Sequence, residues 1–180
     1  MVFLQRPFSW LDAELLKAKD GIKNVIRVLR CHHEATARQE AARVLGQSRA
    51  LEAVRPLVAA LEDPAESVVE AAATSLGKIG DSQAVASLLV LLQHERADQR
   101  RCAAESLGAI GDARAVTPLV GVLRDTCYRV RLTAVRALGE IGDRRAVEPL
   151  LSAMADADMY IRLAAASAIS KIDLATRSGA

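Results

Sequence analysis

Aromatic side chains are scarce in this 180-residue chain: one Trp, two Tyr and two Phe, or 3% of the total. A core of normal size must then be built from Ala, Leu, Val and Ile, small side chains that suit closely packed helices. Cysteine is also sparse. Cys31, Cys102 and Cys127 form no CxxC pair and no even framework, so a disulfide scaffold is excluded and reduced thiols in a cytosolic protein are expected. No apolar run approaches the roughly 18 residues of a membrane span. The opening residues, MVFLQRPFSWLDAELLKAKDG, lack a charged start followed by an apolar stretch, so no signal peptide is expected and the location is read as cytoplasmic. Neither sign of charge is in excess: 24 basic against 22 acidic residues give a net charge of +2. Nothing in that balance calls for nucleic acid or an anionic membrane as partner.

What the chain does have is a period. Gly46, Gly77, Gly108 and Gly139 are each 31 residues apart, and the same step lands on Ser170. Val54, Val85, Val116 and Val147 keep that spacing, as do Leu57, Leu88, Leu119 and Leu150. A fixed period in this range means stacked helical units, each touching only its neighbours. In residues 98–125, Ala103, Leu107 and Ile110 define one helical face and Gly111 is a natural left-handed stop. Asp112 is an N-cap residue type, and Ala115, Val116, Leu119 and Leu123 give the second helix its apolar face. Pro56, Pro118 and Pro149 fall within the second helices, where a local bend and a lost hydrogen bond are expected. Gly77, Gly108 and Gly139 lie inside first helices at a cost of about 1 kcal/mol each relative to Ala. Their shared phase predicts a neighbouring helix too close for a Cβ.

The strings AVRALGEIGDRRAVEPLLSAMAD (134–156) and AAESLGAIGDARAVTPLVGVLRD (103–125) resemble HEAT repeats, in particular the short subclass named after phycobilin lyase subunits. The resemblance covers roughly residues 35–173. It implies an all-α fold, a right-handed α-solenoid (superhelix) of about five 31-residue antiparallel helix pairs plus a terminal helix. The motif residues are structural and specify no activity. Some units depart from the pattern. The first has Ser48, Arg49 and Ala50 in place of Ile-Gly-Asp, and the second has Val69 where Arg38, Arg100, Arg131 and Arg162 stand elsewhere. The last runs SKIDLATRSGA after its first helix without making a second.

Residues 1–34 read as an N-terminal capping helix pair and 35–180 as the repeat solenoid, the two forming one continuous domain. In the cap, Ser9 and Asp12 form a capping box for a helix from about Trp10 to Lys19, and Phe3, Phe8 and Trp10 seal the apolar end of the stack. GIKNVIRVLR (21–30) follows the second-helix pattern at an offset of 32. At the other end, a last helix from about Met159 to Ile172 carries few charges. Homodimerisation through Ile161, Leu163, Ile169 and Ile172 is expected there.

The second helices should line the inner, concave wall. Three solvent-facing rows follow from the register: Arg55, Ala86, Thr117 and Glu148; Ala59, Val90, Gly121 and Ser152; Glu62, Gln93, Arg124 and Ala155. A small, partly apolar middle row with mixed-charge flanks predicts a groove for a helix or extended peptide of a protein partner. The N-terminal basic residues Lys17, Lys19, Lys23, Arg27 and Arg30 are interrupted by Asp12, Glu14 and Asp20, and no aromatic interleaving supports nucleic-acid binding.

Catalytic and metal chemistry find little support. Cys31-His32-His33-Glu34 is a dense run of ligand types, but consecutive residues cannot all reach one ion, so a polar turn is expected. The His-Glu pairs of the di-iron deoxyhypusine hydroxylase family sit seven residues before the motif glycine. Those positions here hold Gln39-Glu40, Glu70-Ala71, Arg101-Cys102 and Leu132-Thr133, so no di-iron site is predicted. Arg38, Arg100, Arg131 and Arg162 are expected to pair with loop carboxylates such as Asp81, Asp112 or Asp143 instead of forming an anion-binding stripe. No nucleophile–base pair, phosphate loop, metal site or cofactor site stands out. The sequence reads as a non-enzymatic interaction scaffold, with a bilin lyase or chromophore-handling subunit as the alternative that the resemblance implies.

Overall fold

The computed structural model describes residues 20–178, and all regular structure among them is helical. The readings made for Phe3, Phe8, Trp10 and a helix up to Lys19 lie outside the described residues. The chain divides into two compact units, Met1–Ile79 and Gly80–Ala180.

In the first unit, α1 (Gly21–Cys31) is followed by α2 (Ala35–Ser48), α3 (Val54–Ala59) and α4 (Glu66–Ile79). The long helices α2 and α4 pack side by side, with α1 against α2 and α3 against α4. Val25, Leu45, Leu57, Val68 and Leu76 are fully buried, and between them Ala37, Ala41, Ala42, Ala72 and Ala73 fill the core with little volume. In the second unit, α5 (Val85–Leu91), α6 (Ala97–Ile110), α7 (Val116–Val122), α8 (Tyr128–Ile141), α9 (Val147–Ala153) and α10 (Met159–Ser178) repeat the scheme. There α6, α8 and α10 lie in succession, and each short helix packs on the long one that follows it.

Gly108 and Gly139 have the expected packing reason, and Gly46 shares it. A Cβ on Gly46 would lie 2.7 Å from the Cα of Ser75, and one on Gly139 would lie 2.7 Å from the Cβ of Ala168. Long helices therefore approach backbone to side-chain base, a distance only glycine permits. The Ser75 hydroxyl donates to the Ala42 carbonyl at 2.8 Å, so this buried polar group is satisfied within the same contact.

Helix stops follow the predicted chemistry. Gly80, Gly111 and Gly142 take φ of 78°, 75° and 75°, and Asp81, Asp112 and Asp143 then accept the amide two residues on at 2.7, 2.9 and 2.8 Å. In the first unit the αL position falls on Arg49, with φ 51°.

Two expectations need correction. The second helices do not begin as α-helix near residue 113. Each opens with a 3₁₀ turn (Leu51–Ala53, Ala113–Ala115, Arg144–Ala146), so Pro56, Pro118 and Pro149 sit in the first turn of the α segment. A missing N–H costs little there, and no interior hydrogen bond is broken. The last helix does not end near Ile172 but runs on to Ser178. Asp173 stands where Gly111 and Gly142 supply the left-handed stop, so nothing turns the backbone.

Candidate partner-binding face

Each residue of the second-helix rows faces solvent. In the first unit these are Arg55, Ala59 and Glu62; in the second they are Ala86, Val90, Gln93, Thr117, Gly121, Arg124, Glu148, Ser152 and Ala155. Their exposure follows from the buried stripe on the same helices, because Leu57, Leu88, Leu119 and Leu150 at 0% exposure fix the opposite side inward. Val90 is 71% exposed, a large apolar side chain left in water on a helix whose Val85, Leu88 and Leu91 are buried. A Cβ on Gly121 would meet nothing within 4 Å, so this glycine, unlike Gly108, answers no packing need. Between α7 and α9 the surface sinks into a groove of about 490 Å³ lined by Val120, Arg124, Glu148, Pro149, Ser152 and Ala155 among others.

The charges around this face divide into two sets. Arg38 grips Asp63 through Nε and Nη2 at 2.7 and 2.8 Å, Arg100 grips Asp125 at 2.6 and 2.9 Å, and Arg131 grips Asp156 at 2.9 and 3.2 Å. Through Nη1 the same arginines donate to carbonyls of the loop before their own helix: His32, His94 and Asp125. Each arginine thus braces one loop and clamps the next. This corrects the expected partners: Asp112 and Asp143 are taken by Arg114 and Arg145, two residues on. Those two arginines also reach back to the carbonyls of Ser82 and Ala113, at 3.1 and 3.0 Å, forming a second set of ties between repeats. Arg162 donates to the carbonyls of Asp156 and Ala157 at 2.9 and 3.0 Å.

These pairings hold the carboxyls below their ordinary range. Asp63 and Asp156 are lowered chiefly by hydrogen bonds from Arg38 and Arg131. At Asp125 burial pushes upward, but Arg100 and the Cys127 amide together outweigh it. Arg114 draws Asp112 down to about 2. By contrast, neither the Arg124 guanidinium nor the Glu148 carboxylate makes an ion pair or side-chain hydrogen bond among the described residues.

The histidines serve the loops. His94 holds the position of Asp63, Asp125 and Asp156, and its Nδ1 accepts the Arg96 amide at 3.1 Å just as Asp125 accepts that of Cys127 at 2.8 Å. His32 does the same for Glu34 at 3.1 Å and stacks on His33, with ring centroids 4.7 Å apart. Among the described residues no group of three His, Cys, Asp or Glu side chains could hold a metal ion, and no helix is long and apolar enough to cross a membrane.

At the far end, α10 corrects the proposed dimer contacts. Ile161 and Ile172, at 1% and 0% exposure, belong to the core, whereas Leu163 is 62% exposed and Ile169 partly covered. Sequence reasoning missed a second groove of about 500 Å³ between α6 and α8, lined by Arg101, Glu105, Tyr128, Arg129, Arg136 and Glu140 among others. Its signal in the sequence is the set of polar residues on the outer sides of these long helices, among them Arg101, Glu105, Arg136 and Glu140.

Comparison with known proteins gives the same architecture. HEAT repeats are matched over residues 22–105, 54–130 and 119–178, which together span most of the chain. The chain belongs to the HEAT-repeat family. Among solved structures, this HEAT-repeat protein resembles the complex of CpcE and CpcF of phycocyanin lyase from Nostoc sp. PCC7120, with 28% identity and a TM-score of 0.66 over 87% of its own length. It spans 66% of that chain, just under two thirds. A designed armadillo repeat protein in complex with the peptide (KR)4 aligns with a TM-score of 0.64 at 17% identity, covering 92% of this chain and 91% of that one. Human deoxyhypusine hydroxylase aligns with a TM-score of 0.52 at 18% identity, covering 87% of this chain and 75% of that one. Those last two likenesses show the fold alone. A search of curated protein sequences returns no significant match.

Proposed function

We propose that this protein is a non-enzymatic interaction module that receives a helix or peptide of a partner protein on its second-helix face. The observation that carries the reading is the row Val90, Gly121 and Ser152: small or apolar and exposed on three successive short helices, with Ser152 lining the groove between α7 and α9. Leaving Val90 in water costs the free chain the gain from burying it, about 1.5–3 kcal/mol for a full side chain, which a partner could recover. The test is capture of a partner from extract by the wild-type protein and by Gly121→Arg and Val90→Arg. Both substitutions point into open space and should leave helicity intact, so loss of capture in both supports the reading and retention in both overturns it.

A second reading has one observation in its favour, the 28% identity to the phycocyanin lyase complex. On it, the chain is a bilin-handling subunit that works with a second protein. Mixing with a linear tetrapyrrole, alone and with a candidate second subunit, should then produce a shifted visible absorbance band. An unshifted spectrum in both mixtures removes this alternative.

A further inference from the structure

Arg162 repeats the pose of the three clamped arginines, Arg38, Arg100 and Arg131, with half of the bonds unmade. In all four, Nη1 donates to the carbonyls of the residues six and five back, for Arg162 those of Asp156 and Ala157 at 2.9 and 3.0 Å. The loop before the helix thus holds each guanidinium in the same way. Nε and Nη2 of the first three then close on an aspartate 25 residues along the chain. The same two atoms of Arg162 meet no acceptor among the described residues, because α10 runs on to Ser178 where earlier repeats turn back into a short helix and its aspartate. Elsewhere arginine and acid are kept or lost together: the repeat with Val69 in the arginine position has His94 in the aspartate position.

The same edge leaves apolar surface open. Leu107 and Leu138 are 0% exposed, but Ile169, one repeat beyond Leu138, is partly uncovered. Leu151 and Met154, at the end of α9, are 46% and 43% exposed. A further long helix cannot close this gap at the regular spacing. Long helices touch at Gly108 and Gly139, and the corresponding residue of α10 is Ser170, which carries the Cβ that such contacts exclude. A second copy has no suitable short helix to offer either. Its Asp63, Asp125 and Asp156 are held by their own arginines, and α1 is followed by His32 at the aspartate position.

We infer that the open edge of α10 takes a short amphipathic helix of a different polypeptide, followed by an aspartate whose carboxylate enters the fork of Arg162. Ile169, Leu151 and Met154 receive the apolar side of that helix. A planar guanidinium already fixed through Nη1 binds a carboxylate by two parallel hydrogen bonds, which sets the partner's register as well as adding affinity. The chain's own short helices define the ligand. Each carries a leucine six residues before its aspartate, as Leu119 precedes Asp125 and Leu150 precedes Asp156. The aspartate also accepts the amide two residues on, at 2.8 Å for Asp125 and 2.9 Å for Asp156, which ends the helix in a turn. This edge is a surface beyond the second-helix face, and the inference holds with or without binding there.

The probe is a labelled peptide with the sequence of residues 143–158, DRRAVEPLLSAMADAD, read by fluorescence polarisation against the full chain. The wild-type protein should bind it about tenfold more tightly than the same peptide with Asp156→Asn. That comparison alters only the peptide, so the folding of the protein does not enter. Arg162→Gln should bind both peptides alike, at the affinity of the Asn form. Arg162→Lys keeps the charge without the fork and should recover only a small part of the preference. Met154→Glu, at an exposed position, should weaken both peptides. Equal binding of the two peptides by the wild type overturns the inference, as does no binding of either. Full preference in Arg162→Gln or Arg162→Lys overturns it too. Sedimentation of the protein alone tests the occupant: a monomer is expected, and a dimer that Arg162→Gln dissolves would put a second copy on this edge and overturn the choice of a different polypeptide.

Discussion

A Cβ built on Gly108 would stand 2.7 Å from the Cα of Ala137, closer than real side chains come to backbone. The obstacle is main chain, so no rotamer change relieves it and α6 must move away from α8. Gly108→Ala should therefore lower the free energy of unfolding by about 2 kcal/mol, although Ala is the better helix former. Gly121→Ala, with nothing within 4 Å, should instead raise stability, by up to about 1 kcal/mol. Urea midpoints for the two variants measure the contrast, and a shift of the same sign in both would refute it.

Asp125 receives two bonds from Arg100 and one from the Cys127 amide, with only 9% of its side chain exposed. Asp125→Asn keeps the shape but removes the charge from a nearly buried pair, leaving a guanidinium under-solvated. A loss of about 2 kcal/mol is expected, larger than for Asp112→Asn on the exposed turn. Equal losses in calorimetry would mean that the inter-repeat clamp contributes no more than a surface contact.

Among the described residues Arg49 is the non-glycine residue with positive φ, 51°, at the stop where later repeats place glycine. Arg49→Gly should stabilise the first unit by about 0.5–1 kcal/mol by removing the strain of a Cβ in that region, partly offset by the freer unfolded chain. An unchanged or lower melting temperature contradicts this.

Acid should weaken the protein in a defined window. Asp63, Asp112, Asp125, Asp143 and Asp156 are all held below the ordinary value of 3.8 by their arginines or by backbone amides. Below pH 5 the unfolded chain thus binds protons before the folded one does. Stability should be level above about pH 5 and fall as the pH drops through 3.8 toward the lower folded-state values. Melting curves from pH 7 to pH 3 check the slope, and the Asp63→Asn, Asp156→Asn double variant should flatten it.

The period, the glycine stops and the buried stripes could be read from sequence because each depends on local backbone chemistry repeated at fixed phase. The arginine partners could not. Asp81, Asp112 and Asp143 lie in one loop of each repeat and Asp63, Asp125 and Asp156 in the other, and pattern alone cannot say which loop a long side chain crosses to. Residues such as Asp112 were already committed to Arg114 through a turn two residues long. The run-on of α10 is legible in Asp173, which stands where Gly111 and Gly142 stop the earlier long helices. For the candidate face, register settled which residues are exposed, Val90 and Gly121 included. It could not distinguish Arg124 and Glu148 from the paired charges around them, because pairing is a property of the stacked repeats.

The ties between repeats share a short reach along the chain. Arg100 to Asp125 spans 25 residues, Arg145 to Ala113 spans 32 and Ser75 to Ala42 spans 33. No loop much longer than one repeat has to close before these contacts form, so the entropic cost of assembly is met in small equal steps. Within each unit an adjacent pair of long helices can serve as a nucleus, onto which the next element is added over a short stretch of chain.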